Sequence, residues 1–210
     1  MTTPVAPPTP VTLEAQQFVD RVGEWMSRNG YRVGRTSAYQ GTSSLPGAEG
    51  ASGAFDASRG VVFHPEISRG LAGLSEKSRR RGQLSPTAVA YAGVLVHELG
   101  HAMHPAGAHM VGDGRRYWDE AASEAAQADM MPAFLAQTFG HRSARPITKK
   151  PVYFGRYPKR VKELRIMSTL GSGAPHWRDR SARLWRRDFA NATFEDRTKM
   201  IAKARAAVAR

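Results

Sequence analysis

His97-Glu98-Leu99-Gly100-His101 is the stretch on which the reading of this chain turns. It has the form His-Glu-x-x-His, two histidines four residues apart with a glutamate directly after the first. On an α-helix, residues i and i+4 lie one turn apart on the same face, with Cβ atoms about 5–6 Å from each other. Two imidazole nitrogens at that spacing reach a single metal ion at about 2.0–2.1 Å, the usual Zn–N distance. Glu98 projects beside that point rather than at it, which is where a general base must stand to take a proton from water. With nothing to bind them, two histidines and a glutamate in an apolar helix are costly to bury, and this favours the metal reading over a purely structural one.

The flanks specify the helix that carries the motif. Ser85-Pro86 reads as an N-cap followed by proline at the first helical position, where the missing N–H costs nothing. Thr87 to Val96 is rich in Ala, Val and Leu, as in a helix buried on most sides. Pro105 stops it, so the expected span is Pro86 to His104. Gly93 and Gly100 each cost about 1 kcal/mol relative to alanine inside a helix. Their expected use is to let a neighbouring backbone, or the wall beside the metal, come close.

Two histidines leave a catalytic zinc one protein ligand short, the fourth position being kept for water. Three sources present themselves. A helix expected from about Tyr117 to Pro132 carries Glu120, 19 residues after His101, with Glu124 four residues further on the same face. His104 continues the face of His97 and His101, but Pro105 holds it at the helix end. His109 or Asp113, in the Gly-rich loop after Pro105 with Arg115 and Arg116, would imitate the metzincin arrangement. That pattern requires glycine three residues after the second histidine, and this chain has His104 there.

His97 to His101 followed by Asp119-Glu120-Ala121-Ala122-Ser123-Glu124 resembles the gluzincin zinc peptidases, of which thermolysin is the type. The resemblance implies that Glu120 binds zinc and that Glu124 accepts a hydrogen bond from a ligand histidine, fixing its tautomer. A narrower stretch, Val96 to Met103 together with Glu120 through Met131-Pro132, is similar to the ImmA/IrrE-type peptidases that cut repressors of mobile elements, with the register displaced by a residue. Either likeness covers about residues 50–135. The implied activity is hydrolysis of a protein or peptide substrate, with Zn2+ activating water and Glu98 as base. The oxyanion of the transition state needs one more donor, and His109, Tyr117 and His176 are the candidates.

The expected fold class is α+β: a small β-sheet packed on the motif helix and on a second, Glu-bearing helix, with a helical C-terminal extension. Residues 1–11 are Pro/Thr-rich and expected to be disordered or extended, residues 12–140 form the minimal peptidase domain, and residues 141–210 form the extension. Thr12 caps a helix from Leu13 to Asn29, whose Phe18, Val22, Trp25 and Met26 make a packing stripe, with Gly30 as its C′ residue. Tyr31 to Val33 reads as a short strand and residues 34–53 as a long loop. Gly53 to Phe63 reads as strand, turn and strand, and Val61–Phe63 is the expected edge for a substrate backbone to join. Arg79-Arg80-Arg81 falls in a linker into the motif helix.

Composition narrows the setting. There is no cysteine, hence no disulfide framework and no thiolate metal site. The N-terminus has neither a basic n-region nor an apolar h-region, and the longest apolar run, Ala88 to Val96, is short of a membrane span. A cytoplasmic protein without a membrane partner is the expectation. Charge is uneven: residues 1–140 hold 12 Lys+Arg against 13 Asp+Glu, a net of −1, and residues 141–210 hold 19 against 5, a net of +14. After a basic, Pro-broken linker and an aromatic Val152–Pro158 segment, helices are expected over Lys159–Leu170, Trp177–Phe189 and 194–209. Their Trp and Leu spacing favours packing on the peptidase. Arg178, Arg180, Arg183, Arg186 and Arg187 are alternatively a surface for nucleic acid or another acidic partner.

Overall fold

Thr12 accepts a hydrogen bond from the Ala15 amide and starts helix α1 (Leu13–Arg28), and Gly30 ends it with φ +86°. The apolar stripe does what its spacing predicts. Phe18, Val22, Trp25 and Met26 are all buried. They meet the end of helix α4 (Asp113–Phe139), where Phe134 lies 6.3 Å from Phe18 and 5.4 Å from Trp25, ring centre to ring centre, and Trp25 Nε1 donates to Gln137 Oε1 at 2.6 Å. The computed structural model describes residues 7–34, 36–41, 52–56, 59–80, 83–103, 113–140 and 158–207.

The class is α+β. Strands β1 (Thr9–Pro10), β2 (Ala38–Gln40), β3 (Gly53–Asp56) and β4 (Gly60–Phe63) make a mixed four-stranded sheet in the order β1-β2-β4-β3. β4 pairs with β2 in parallel and with β3 antiparallel, and all four of its residues are buried. The expected edge at Val61–Phe63 is therefore corrected: it is an interior strand, as its unbroken apolar run fits. Among the described residues the outer strands are β1 and β3. Three further expectations change. Thr9–Pro10 pairs with β2, so the N-terminal stretch is not wholly disordered, and β2 lies within the expected loop. Tyr31 to Val33 is not a strand. Tyr31 is buried beneath the C-terminal helices instead.

Helix α2 (Pro65–Arg80) occupies the segment expected to be a linker. Proline at its first position, Glu66 in the first turn and Arg79 and Arg80 in the last suit the helix dipole, and Ile67, Leu71 and Leu74 are buried on one side. Helix α3 (Pro86–His101) has the expected cap, Ser85 Oγ accepting from the Ala88 amide at 3.2 Å. It ends at His101 rather than His104. The Met103 amide turns back to the Gly100 carbonyl at 3.3 Å, a tighter turn that closes the helix before Pro105 is reached. Conversely, α4 runs through Pro132 to Phe139, because Phe134, Leu135 and Phe139 beyond the proline all bury in the core. That burial outweighs the lost backbone hydrogen bond.

Helices α5 (Pro158–Ser172), α6 (Arg180–Asn191) and α7 (Phe194–Ala206) form the C-terminal part. α5 and α6 pack on α4, and α7 packs on α5. Leu164, Phe189 and Ile201 belong to the same continuous core as Leu95 and Val96 of α3. Packing therefore continues across the expected boundary at residues 140–141. The linker at 141–157, with its aromatic segment, lies outside the described residues. Among the described residues no helix is long and apolar enough to cross a membrane.

Candidate metal centre

α3 and α4 cross at glycine. A Cβ at Gly100 would stand 2.9 Å from Ser123 Cβ and 3.0 Å from Ser123 Cα, so only glycine lets the two backbones approach this closely. The approach brings Glu120 over the turn that carries both histidines. His97 Nε2 and His101 Nε2 are 3.2 Å apart, and Glu120 Oε2 lies 3.4 Å from the first and 3.7 Å from the second. Bonds of about 2.0–2.1 Å in a tetrahedron put ligand atoms about 3.3–3.4 Å from each other. The triangle matches that spacing, and two neutral imidazoles with one carboxylate are a donor set for a divalent ion. His97, His101 and Glu120 could hold a metal ion.

The second face of His101 is fully engaged. Its Nδ1 lies 2.8 Å from Asp119 Oδ2 and 3.2 Å from Ser123 Oγ. Asp119 and Ser123 are four apart on α4, so one helical face brackets the ring nitrogen from both sides. With the Nδ1 hydrogen donated to the carboxylate, the lone pair is left at Nε2, facing His97 and Glu120. Glu124 is buried one turn beyond Glu120, at 3 % exposure. The partners at His101 Nδ1 are Asp119 and Ser123.

The charges are set by burial against proximity. Burial opposes a proton on His101, but Asp119, by charge and hydrogen bond, with Glu120 and Glu98, outweighs it and raises the metal-free pKa to about 9. Burial likewise pushes Glu120 up, yet the hydrogen bond from His97 and the charges of both histidines leave it below its ordinary value. Glu98 is 6 % exposed and faces the sheet: a Cβ at Gly53 would lie 2.9 Å from Glu98 Cγ. Strand β3 therefore passes directly over the general-base candidate, and it can do so because Gly53 has no side chain.

Of the three expected oxyanion donors, the two among the described residues, Tyr117 and His176, have partners elsewhere. The Tyr117 hydroxyl donates to Glu163 Oε2 on α5, and its ring lies under Arg160 at 4.8 Å. Burial, then that hydrogen bond, pushes its pKa up to about 12. His176 sits exposed between α5 and α6, its Nδ1 accepting from the Arg178 amide at 3.0 Å. His109 and His104 lie outside the described residues.

Two arginines of the C-terminal third are structural. Arg186 makes a two-point ion pair with Asp129, Nε to Oδ2 at 2.7 Å and Nη2 to Oδ1 at 2.8 Å, and Nη1 donates to Ser168 Oγ and the Trp177 carbonyl. Its 3 % exposure removes it from the expected phosphate-facing set, whereas Arg178, Arg180 and Arg183 are exposed. Arg197 is 4 % exposed and points Nη1 at Asp119 Oδ1 from 3.4 Å. Asp119, Ser123, Gly53 and Arg197 carry no role in the sequence reading. The Asp119–Ser123 spacing is a visible signal of the same kind as Glu120–Glu124, while nothing local marks Arg197 or Gly53. No family model, curated protein or solved structure matches the chain.

Proposed function

We propose that this chain is a zinc-dependent metallopeptidase of the gluzincin kind, with Glu98 as its general base. The triangle of His97 Nε2, His101 Nε2 and Glu120 Oε2, with edges of 3.2, 3.4 and 3.7 Å, carries the reading. A purely structural zinc site closes with four protein ligands, and the three found among the described residues leave a position for water. Zinc at such a site supplies Lewis acidity, which brings the pKa of water to about 7 and polarises a carbonyl.

The rest of the chemistry belongs to side chains of this protein. Glu98 takes a proton from the water whose oxygen bonds to the peptide carbonyl carbon. It delivers that proton to the amide nitrogen as the C–N bond breaks, so one water is consumed and a carboxylic acid and an amine leave. Asp119 and Ser123 hold the His101 ring by Nδ1, which aims Nε2 at His97 and Glu120. Strand β3, an outer strand of the sheet among the described residues, passes beside Glu98, where an extended substrate could lie along it. The gluzincin likeness of Glu98 and Glu120 supports the same assignment.

The test is zinc stoichiometry together with peptide-library cleavage by wild type, Glu98→Gln and Glu120→Ala. One zinc in wild type and in Glu98→Gln, cleavage by wild type alone, and weakened zinc in Glu120→Ala is the expected pattern. Absence of zinc from wild type would sink the reading.

A second reading has its own observation: Arg178, Arg180 and Arg183 are exposed, in a third of the chain that carries +14. On that reading the protein binds nucleic acid or another acidic partner there, with or without turnover. Salt-dependent DNA or RNA binding lost in the triple Arg→Gln variant, with zinc retained, would favour it.

A further inference from the structure

The group behind His101 extends to the far end of the chain. Arg197, on α7, is held by two carbonyls at the end of α6: Nε donates to Phe189 O and Nη2 to Ala190 O, both at 2.8 Å. The last four carbonyls of a helix lack partners within it, and a cation there is favoured by the helix dipole. Those bonds fix the guanidinium plane and aim Nη1 at Asp119 Oδ1, while the other carboxylate oxygen of Asp119 meets His101 Nδ1 at 2.8 Å. One carboxylate thus stands between an arginine and a metal-ligand histidine, all three buried.

We propose that Arg197 is a positioning residue for the metal centre, acting through Asp119 on His101. The inference rests on the metal-centre reading above and adds a role for the C-terminal third. A carboxylate that faces only an imidazole can rotate about its Cβ–Cγ bond. Arg197 opposes that rotation. It pins the Oδ1 side, so Asp119 presents Oδ2 to the ring in one fixed orientation. The C-terminal helices therefore form part of the metal site rather than an appendage to it.

Zinc affinity, measured by competition with a chromophoric chelator on the folded full-length chain, tests this independently of turnover. Loss of an outer partner of a metal ligand typically costs about 10–100-fold in affinity. Arg197→Met is expected near the low end, about tenfold weaker than wild type, with Arg197→Lys recovering part of the loss by keeping a cation beside Asp119. Arg186→Met is the control, since it breaks an equally buried ion pair of the same helices at Asp129. It is expected to leave zinc affinity within about twofold.

Unchanged affinity in Arg197→Met, or an equal fall in Arg186→Met, would overturn the proposal while leaving the metal centre standing. Wild type without zinc would overturn the metal centre itself. Should Arg197→Met fail to fold, Asp119→Asn is compared with Asp119→Asn/Arg197→Met, which leaves no orphan charge. Equal affinities there support action through Asp119, and a further fall contradicts it.

Discussion

In the metal-free protein a pH dependence follows from one histidine. His101 has an ordinary pKa of 6.5, and in the metal-free folded protein it is raised to about 9: burial resists the charge, and Asp119, Glu120 and Glu98 outweigh that resistance. A raised folded pKa means that the folded state binds the proton more tightly than the unfolded chain. The stabilisation is fully present below pH 6.5, declines by about 1.4 kcal/mol per pH unit above it, and is lost once pH passes about 9. The shift is worth about 3 kcal/mol across that window, a large part of the stability of an ordinary domain. Urea unfolding of chelated protein at pH 6, 7.5 and 9 should therefore show a falling midpoint. Zinc-loaded protein should respond in the opposite sense, because the ligand must be free of its proton and the zinc-induced gain grows with pH. In Asp119→Asn the fall should shrink, since the largest attraction is removed. A midpoint in chelated wild type that is flat or rises from pH 6.5 to 9 would refute the assignment of His101 as a buried, Asp119-paired group.

Three further outcomes are expected from the packing around the site. On the proposed function, Gly53→Leu should lower kcat/KM by roughly 10–100-fold without loss of zinc, because its side chain must displace Glu98, whose Cγ lies 2.9 Å from a Cβ there. Turnover and metal analysis on the same sample check it. Gly100→Ala should destabilise, although glycine to alanine inside a helix ordinarily stabilises by about 1 kcal/mol, because the new methyl meets Ser123 Cα at 3.0 Å and overpacking costs about 1–3 kcal/mol. The sign of the urea midpoint shift decides. Arg186→Met should cost about 3–5 kcal/mol by leaving Asp129 buried without its partner, and Arg186→Met/Asp129→Leu should recover most of it, as read by the same unfolding measurement.

What the chain reveals before it folds is what covalent spacing controls. Four residues bring His97 and His101 to one helical face whatever surrounds them, Ser85 caps that helix with its own hydroxyl, and Phe18, Val22, Trp25 and Met26 form a stripe by period alone. Helix α2 was legible in the same way, through Pro65, Ile67, Leu71 and Leu74, although the basic residues at its end read as a linker. Glu120 needed more than spacing, because its place beside the two histidines depends on α4 crossing α3, and the resemblance to known zinc peptidases pointed to it.

Other features depend on contacts between distant segments, which periodicity does not encode. β4 lies inside the sheet and β3 at its edge because β2, hidden in a Gly/Ser-rich stretch, adds alongside β4. α4 passes its own proline because three aromatic and aliphatic side chains beyond it find a core to fill. Asp119 meets His101 because the Gly100–Ser123 contact sets how α4 is rotated against α3. Arg197 reaches that carboxylate across 78 residues of chain. Sequence by itself determined the donor types and their helical faces, since these follow from the 3.6-residue period. Tertiary structure decided which faces meet, because that follows from packing several helices around one shared core.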